Sequence, residues 1–201
     1  MPTIAASTTN PASLSDFASS IPGRLLAGLA ATAVVAAAAH IAIPLPFTPV
    51  PLTLQPLAVL GVGLALGPGA GFLAMLAYLA EGLGGLPVFA PTGPGGIAQL
   101  LGPTGGFLMA YPLVAAIAGG LTRRLTGLQS AHRSRFAAAF LAGSLATAVL
   151  FICGAGWFMH YTHHSLQAAW IGSVAPFLPG EAVKVVVAAS VYSSLTRFSR
   201  I

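Results

Sequence analysis

The sequence predicts an all-α fold, an integral membrane bundle of six transmembrane helices with long Pro/Gly-rich external loops, and three observations carry that prediction. Of 201 residues, 56% are hydrophobic and only 5% charged, with a mean hydropathy of +0.89, too little charge to coat a water-soluble globule of this size. Apolar runs approaching the roughly 20 residues a helix needs to cross a bilayer recur along the chain. Proline and glycine cluster outside those runs, between Pro44 and Pro51 and between Gly82 and Gly106. Roughly six crossings fit, in a single compact bundle.

Residues 1–22 read as a disordered cytoplasmic tail, polar and without the basic and apolar regions of a secretory signal, and residues 23–201 as the single six-helix domain. Leu25 to Ile43 is the first crossing. Small residues four apart, Ala27 and Ala31 or Ala33 and Ala37, allow another helix to approach it closely, although alanine richness alone produces the same pattern. Pro44, Pro46, Pro49 and Pro51 then force an extended loop. Two short apolar segments follow, one running from Gln55 to Leu66 and one from Ala70 to Glu81, turned at Gly67-Pro68-Gly69. Short helices at membrane depth line cavities or are buried in protein, which places these two beside a pocket.

The longest irregular region, residues 82–106, contains Leu86, Val88, Phe89, Leu100 and Leu101, which need burial, so it reads as a folded lid. No Gly-Lys-Ser/Thr follows its glycines and no strand precedes them, which excludes a phosphate-binding P-loop. Phe107 to Leu121 and Phe136 to His160 are the fourth and fifth crossings. Ser165 to Val174 reads as a short interfacial helix carrying Trp170, and the sixth crossing runs from Pro179 to near Arg197. Arg123, Arg124, Arg133 and Arg135 share one short loop, and with six crossings Arg24, Arg197 and Arg200 fall on the same side. By the positive-inside rule both termini are expected in the cytoplasm and the Pro/Gly-rich loops outside.

The net charge of +5 does not make this a nucleic-acid binder, because the arginines form no stripe interleaved with aromatics. A single cysteine, Cys153, excludes an internal disulfide and a thiolate metal cluster. Ser144 and Ser173 sit in no nucleophile motif. His160, His163 and His164 with Glu181 are the remaining metal-ligand candidates, as in an intramembrane hydrolase. The sequence lacks His-Glu-x-x-His, and interfacial histidines facing water are the simpler reading. No metal, cofactor or catalytic residue is therefore expected.

The strongest lead is Pro176-Phe177-Leu178-Pro179-Gly180-Glu181-Ala182-Val183-Lys184. The chain has three acidic residues, and its lone lysine stands one helical turn from one of them. A Glu/Lys pair at i, i+3 shares a helix face, and ionisable groups within a membrane bundle mark a substrate or ion pathway. A neutralised pair that only joins helices is the alternative. With Tyr78, Phe89 and Tyr111 as apolar walls, Glu181 and Lys184 would suit a small ligand with an apolar body and a few polar groups.

Four motifs, taken together and in this order, resemble the BioY family, the biotin-binding S component of energy-coupling-factor (ECF) vitamin transporters: Pro49-Val50-Pro51-Leu52-Thr53-Leu54-Gln55, Gly85-Leu86-Pro87-Val88-Phe89-Ala90, Gly102-Pro103-Thr104-Gly105-Gly106-Phe107, and Pro179-Gly180-Glu181-x-x-Lys184. The chain departs from the family pattern in having Glu181 where Asp is usual and Phe107 where Tyr is common. The resemblance implies biotin capture from outside, a transmembrane coupling protein and two ATPase subunits as partners, or a homo-oligomer where the chain works alone. It also implies contact with the coupling protein through Ala27-x-x-x-Ala31. The ureido ring of biotin would meet Glu181 and Lys184; alternatively Lys184 would take the valerate carboxylate. Under the first assignment the carboxylate would meet loop N–H groups, Thr104 or water, with Gln55 and Glu81 at the rim. An S component for a different vitamin is the nearest competing function.

Overall fold

The computed structural model describes residues 20–127 and 132–198. The expected tail therefore lies, for residues 1–19, outside the described residues, as does Arg200; the side chains of Arg133 and Arg197 are likewise outside the description. Helix α1 spans Ile21–His40, starting four residues before the predicted crossing. Ser20 Oγ accepts from Gly23 N at 3.3 Å, and a proline sits in the first turn, where its missing N–H costs nothing.

After His40 the chain does not continue as helix. It forms an antiparallel hairpin, β1 (Ala42–Leu45) and β2 (Thr48–Thr53), pairing Ala42 with Thr53, Ile43 with Leu52 and Leu45 with Thr48. The register slips between Ile43 and Leu45, around Pro44, which has no N–H to give the ladder. This corrects both the purely α-helical reading and the extension of the first helix to Ile43. The extended loop was legible; its pairing with itself was not.

Helices α2 (Gln55–Leu66) and α3 (Pro68–Leu83) follow, the turn between them made by Gly67 at φ 83°. That left-handed backbone suits glycine, and a Cβ there would also stand 2.0 Å from the Arg123 guanidinium carbon. Arg123 Nη2 donates to Leu66 O at 2.9 Å, capping α2. Helix α3 continues past Glu81 to Leu83. The lid contains a short helix, α4 (Gly96–Leu100), and leads into α5 (Gly105–Gly127). Arg123 and Arg124 thus lie inside the last turns of α5 rather than beyond its end. Helix α6 (His132–Thr162) starts ahead of Phe136. Helix α7 (Leu166–Ser173), with Ser165 as its cap and Trp170 exposed, falls within the short helix expected over Ser165 to Val174; a 3-10 turn at Ala175–Phe177 then leads into α8 (Leu178–Phe198).

Among the described residues four stretches are long and apolar enough to span a membrane: Ile21–His40, Gly105–Gly127, Arg135–Thr162 and Leu166–Thr196; α2 and α3 are apolar but shorter. The exterior carries exposed Leu25, Leu29, Leu141, Ile152 and Leu195, as expected of a surface whose solvent is lipid. Inside, Val59, Leu60, Met75, Tyr78, Val114 and Ala189 form one core across α2, α3, α5 and α8. The helices approach closely through small residues: a Cβ on Gly63 would lie 2.3 Å from Ala115 O, and one on Gly119 2.2 Å from Gly63 O. Lid burial is divided. Phe89 and Leu100 are buried, whereas Leu86 and Leu101 are exposed.

Candidate functional site

Proline-rich turns ahead of α8 deliver Glu181 into its first turn, where unpaired backbone N–H groups favour a carboxylate. Glu181 and Lys184 are 4% and 6% exposed, and Lys184 Nζ donates to Glu181 Oε1 at 2.5 Å. The other carboxylate oxygen, Glu181 Oε2, is buried and has no hydrogen-bond partner among the described residues. A buried acceptor left unmade costs about 1–3 kcal/mol, more for a charged group, so Oε2 is a place where a donor from a ligand would be stabilised.

The pair opens on a narrow cavity of about 60 Å³. Five elements meet there. The hairpin supplies Val50, Pro51 and Thr53, α2 supplies Gln55, the lid supplies Ala90, Gln99 and Thr104, α5 supplies Phe107, Leu108 and Tyr111, and α6 supplies Leu150 and Phe151. Phe177 closes the side next to α8. The site is thus an apolar chamber with a few convergent polar groups, the usual form of a small-molecule site.

Of the residues singled out from sequence, Glu181, Lys184, Tyr111, Gln55 and Thr104 line this cavity. Tyr78 and Phe89 stand behind its wall. Their rings meet edge to face at 5.5 Å, and Tyr78 Oη accepts from Gln55 Nε2 at 2.6 Å while donating to Val88 O at 2.7 Å. Thr53 Oγ1 donates to Gln55 Oε1 at 3.5 Å, so one chain of bonds runs from hairpin to α2 to α3 to lid. Glu81 faces elsewhere: its Oε1 accepts from Thr32 Oγ1 at 2.9 Å and ties α3 to α1. Ala31 is buried in the core and Ala27 half-buried, whereas Ala33 and Ala37 face outward.

Gln99 and Phe151 escaped the sequence reading. Gln99 is 4% exposed; its Oε1 accepts from Gly95 N at 3.1 Å and its Nε2 donates to Ala90 O at 3.3 Å, stitching the lid around itself. A signal existed, since Gln99 is the one polar side chain between Gly96 and Leu101. Phe151 had none, lying in the apolar run from Ala148 to Cys153. The lid is pinned by Trp157 Nε1, which donates to Gly102 O at 2.8 Å, and Gly105 and Gly106 leave room for Leu100 O and the Trp157 side chain. Among the described residues no group of three or more His, Cys, Asp or Glu is placed to hold a metal ion, so the hydrolase alternative finds no donor set there.

Fold and site together define a multi-pass membrane protein enclosing a charged pair in a small, lidded chamber. The BioY family model matches residues 12–200, and the chain belongs to that family. It is 38% identical over 179 residues to "Biotin transporter BioY" of Rhodobacter capsulatus, covering 86% of this chain and 92% of that one. It is 35% identical over 143 residues to "Probable biotin transporter BioY" of Pyrococcus horikoshii, covering 70% and 76%. The crystal structure of the S-component for biotin from an ECF-type ABC transporter superposes with a TM-score of 0.75 at 27% identity, over 87% of this chain and 90% of that one.

Proposed function

We propose that this chain captures biotin in the cavity beside Glu181 and Lys184 and carries it across the plasma membrane as the S component of an ECF transporter. The observation that carries the reading is the unpartnered Glu181 Oε2 beside Lys184, inside a chamber of otherwise apolar and amide-bearing walls. The ureido ring of biotin offers two N–H donors and a carbonyl. One N–H meets Oε2, and the carbonyl accepts from Lys184, whose ammonium has three donors and spends one on Glu181. The fused rings and valeryl chain pack on Tyr111, Phe107 and Phe151, and the carboxylate lies toward Thr104 and Gln99.

Six crossings, with both termini in the cytoplasm and the cavity facing outward, fit the charge placement. Helix α1 starts beside Arg24 and ends at the hairpin lining the cavity, while α5 starts at the cavity and ends with Arg123 and Arg124, next to Arg135 on α6. These arginines therefore share the end opposite the cavity. Family membership supports a coupling protein and two ATPases as partners. Because Ala31 is packed inside, a coupling contact on α1 would use the outward Ala33 and Ala37 more readily than Ala27 and Ala31. Equilibrium binding of labelled biotin to detergent-purified protein tests the reading: saturable binding, competed by unlabelled biotin and weakened in Lys184→Met, is expected. A folded sample that binds no biotin would refute it.

A further inference from the structure

A groove of about 510 Å³ runs between α2 and α8 toward the arginine-bearing end of the bundle. Its existence follows from helix lengths. Helix α2 has 12 residues and α8 has 21, about 18 Å against about 31 Å at the α-helical rise, so α8 runs on past its neighbour. The walls are apolar, with Leu57, Leu64, Val191 and Leu195, and Gly61 widens them, since a Cβ built there meets nothing within 4 Å.

Each wall ends under an arginine. Arg123 Nη2 donates to Leu66 O at 2.9 Å at the end of α2, and Arg135 Nη1 donates to Thr196 O at 2.8 Å on α8. A guanidinium has five N–H donors, and each of these two spends one in that bond. Among the described residues no carboxylate is placed to accept from the rest. Asp16 is outside the described residues, Glu81 is held by Thr32, and Glu181 is paired with Lys184 at the opposite end. An apolar groove therefore opens beneath two cations that face no anion among the described residues.

We propose that this groove binds an anionic phospholipid, its phosphodiester between Arg123 and Arg135 and one acyl chain along Leu57, Gly61 and Leu195. Charge complementarity selects the occupant. A phosphate oxygen accepts from both guanidinium groups, whereas the cationic head of a zwitterionic lipid is repelled by them. The site is separate from the biotin cavity and does not depend on what that cavity holds.

The test is native mass spectrometry of the full chain, released from detergent after equilibration with equal amounts of phosphatidylglycerol and phosphatidylcholine. Phosphatidylglycerol adducts are expected to dominate. Arg123→Gln with Arg135→Gln lowers phosphatidylglycerol affinity by about thirtyfold, taking about 1 kcal/mol per basic residue near a membrane surface. Arg124→Gln is the charge control and changes it little. Because both arginines also cap helix ends, Gly61→Phe provides a variant independent of the caps. It fills the groove and is expected to remove the adduct while the unfolding midpoint in detergent is unchanged. Equal binding of the two lipids, or phosphatidylglycerol retained at wild-type affinity by the folded Gly61→Phe protein, would overturn the proposal. So would loss of a co-purifying membrane protein in Gly61→Phe with lipid binding intact, which would make the groove a protein interface.

Discussion

At the end away from the cavity, α2, α3 and α5 meet backbone to backbone: a Cβ on Gly63 or Gly119 would stand 2.2–2.3 Å from a carbonyl oxygen, and Gly71 would bring its own within 3.2 Å of Gly63 Cα. At the cavity end the contacts are of another kind. The hairpin, lid and helices are joined by single side-chain hydrogen bonds: Thr48 Oγ1 to Gly172 O at 2.6 Å, Gln55 to Tyr78 to Val88 O, Gln99 to Ala90 O, and Trp157 to Gly102 O. Close backbone packing is lost only as a whole, whereas single bonds worth about 0.5–1.5 kcal/mol each open one at a time. This division suits the proposed capture of a ligand at one end while the helices stay in register at the other.

The comparison breaks if the tight end tolerates bulk. Gly119→Val is expected to destabilise the bundle by about 3 kcal/mol, the upper part of the overpacking range, read as a lowered unfolding midpoint in detergent or lost expression. Next in size is the charged pair. Lys184→Met is expected to weaken biotin binding by about 1.5–3 kcal/mol, roughly ten- to 150-fold, in equilibrium titration. A sharper form compares stabilities: Glu181→Gln with Lys184→Met should unfold at a higher temperature than Lys184→Met alone, because removing one partner strands a buried charge and removing both does not.

Smaller effects belong to the bonded end. Tyr78→Phe leaves Gln55 Nε2 and Val88 O without their bonds and is expected to cost about 1–2 kcal/mol in biotin binding with little change in overall fold, measured by titration and circular dichroism. Trp157→Phe removes only the bond to Gly102 O. Its expected signature is about a fivefold to tenfold faster hydrogen exchange across residues 102–106, corresponding to about 1 kcal/mol, with exchange in α2 and α5 unaltered. Faster exchange spread evenly over the bundle would show that the two ends are one cooperative unit.

The amino-acid sequence by itself determined that the chain lives in a membrane, because so few charges leave most of its surface without a water-compatible face. It determined where the longer helices begin and end to within about six residues, because proline and glycine interrupt the apolar runs. It also determined that Glu181 and Lys184 act as a pair, since three residues on a helix always share a face. The tertiary structure decided the rest. Pro44 to Pro51 looked only extended and Ala42 looked helical, and pairing the two halves of the hairpin depends on Thr48 and Val50 being buried while Thr48 bonds Gly172, far away in sequence. Tyr78 and Tyr111 are equally apolar and equally helical in sequence, yet one supports Gln55 from behind and the other faces the chamber. Their difference is set by how α3 and α5 rotate about the close contacts among Gly63, Gly71, Ala115 and Gly119. Helix rotation is a property of packing between segments, and no periodicity within one segment encodes it.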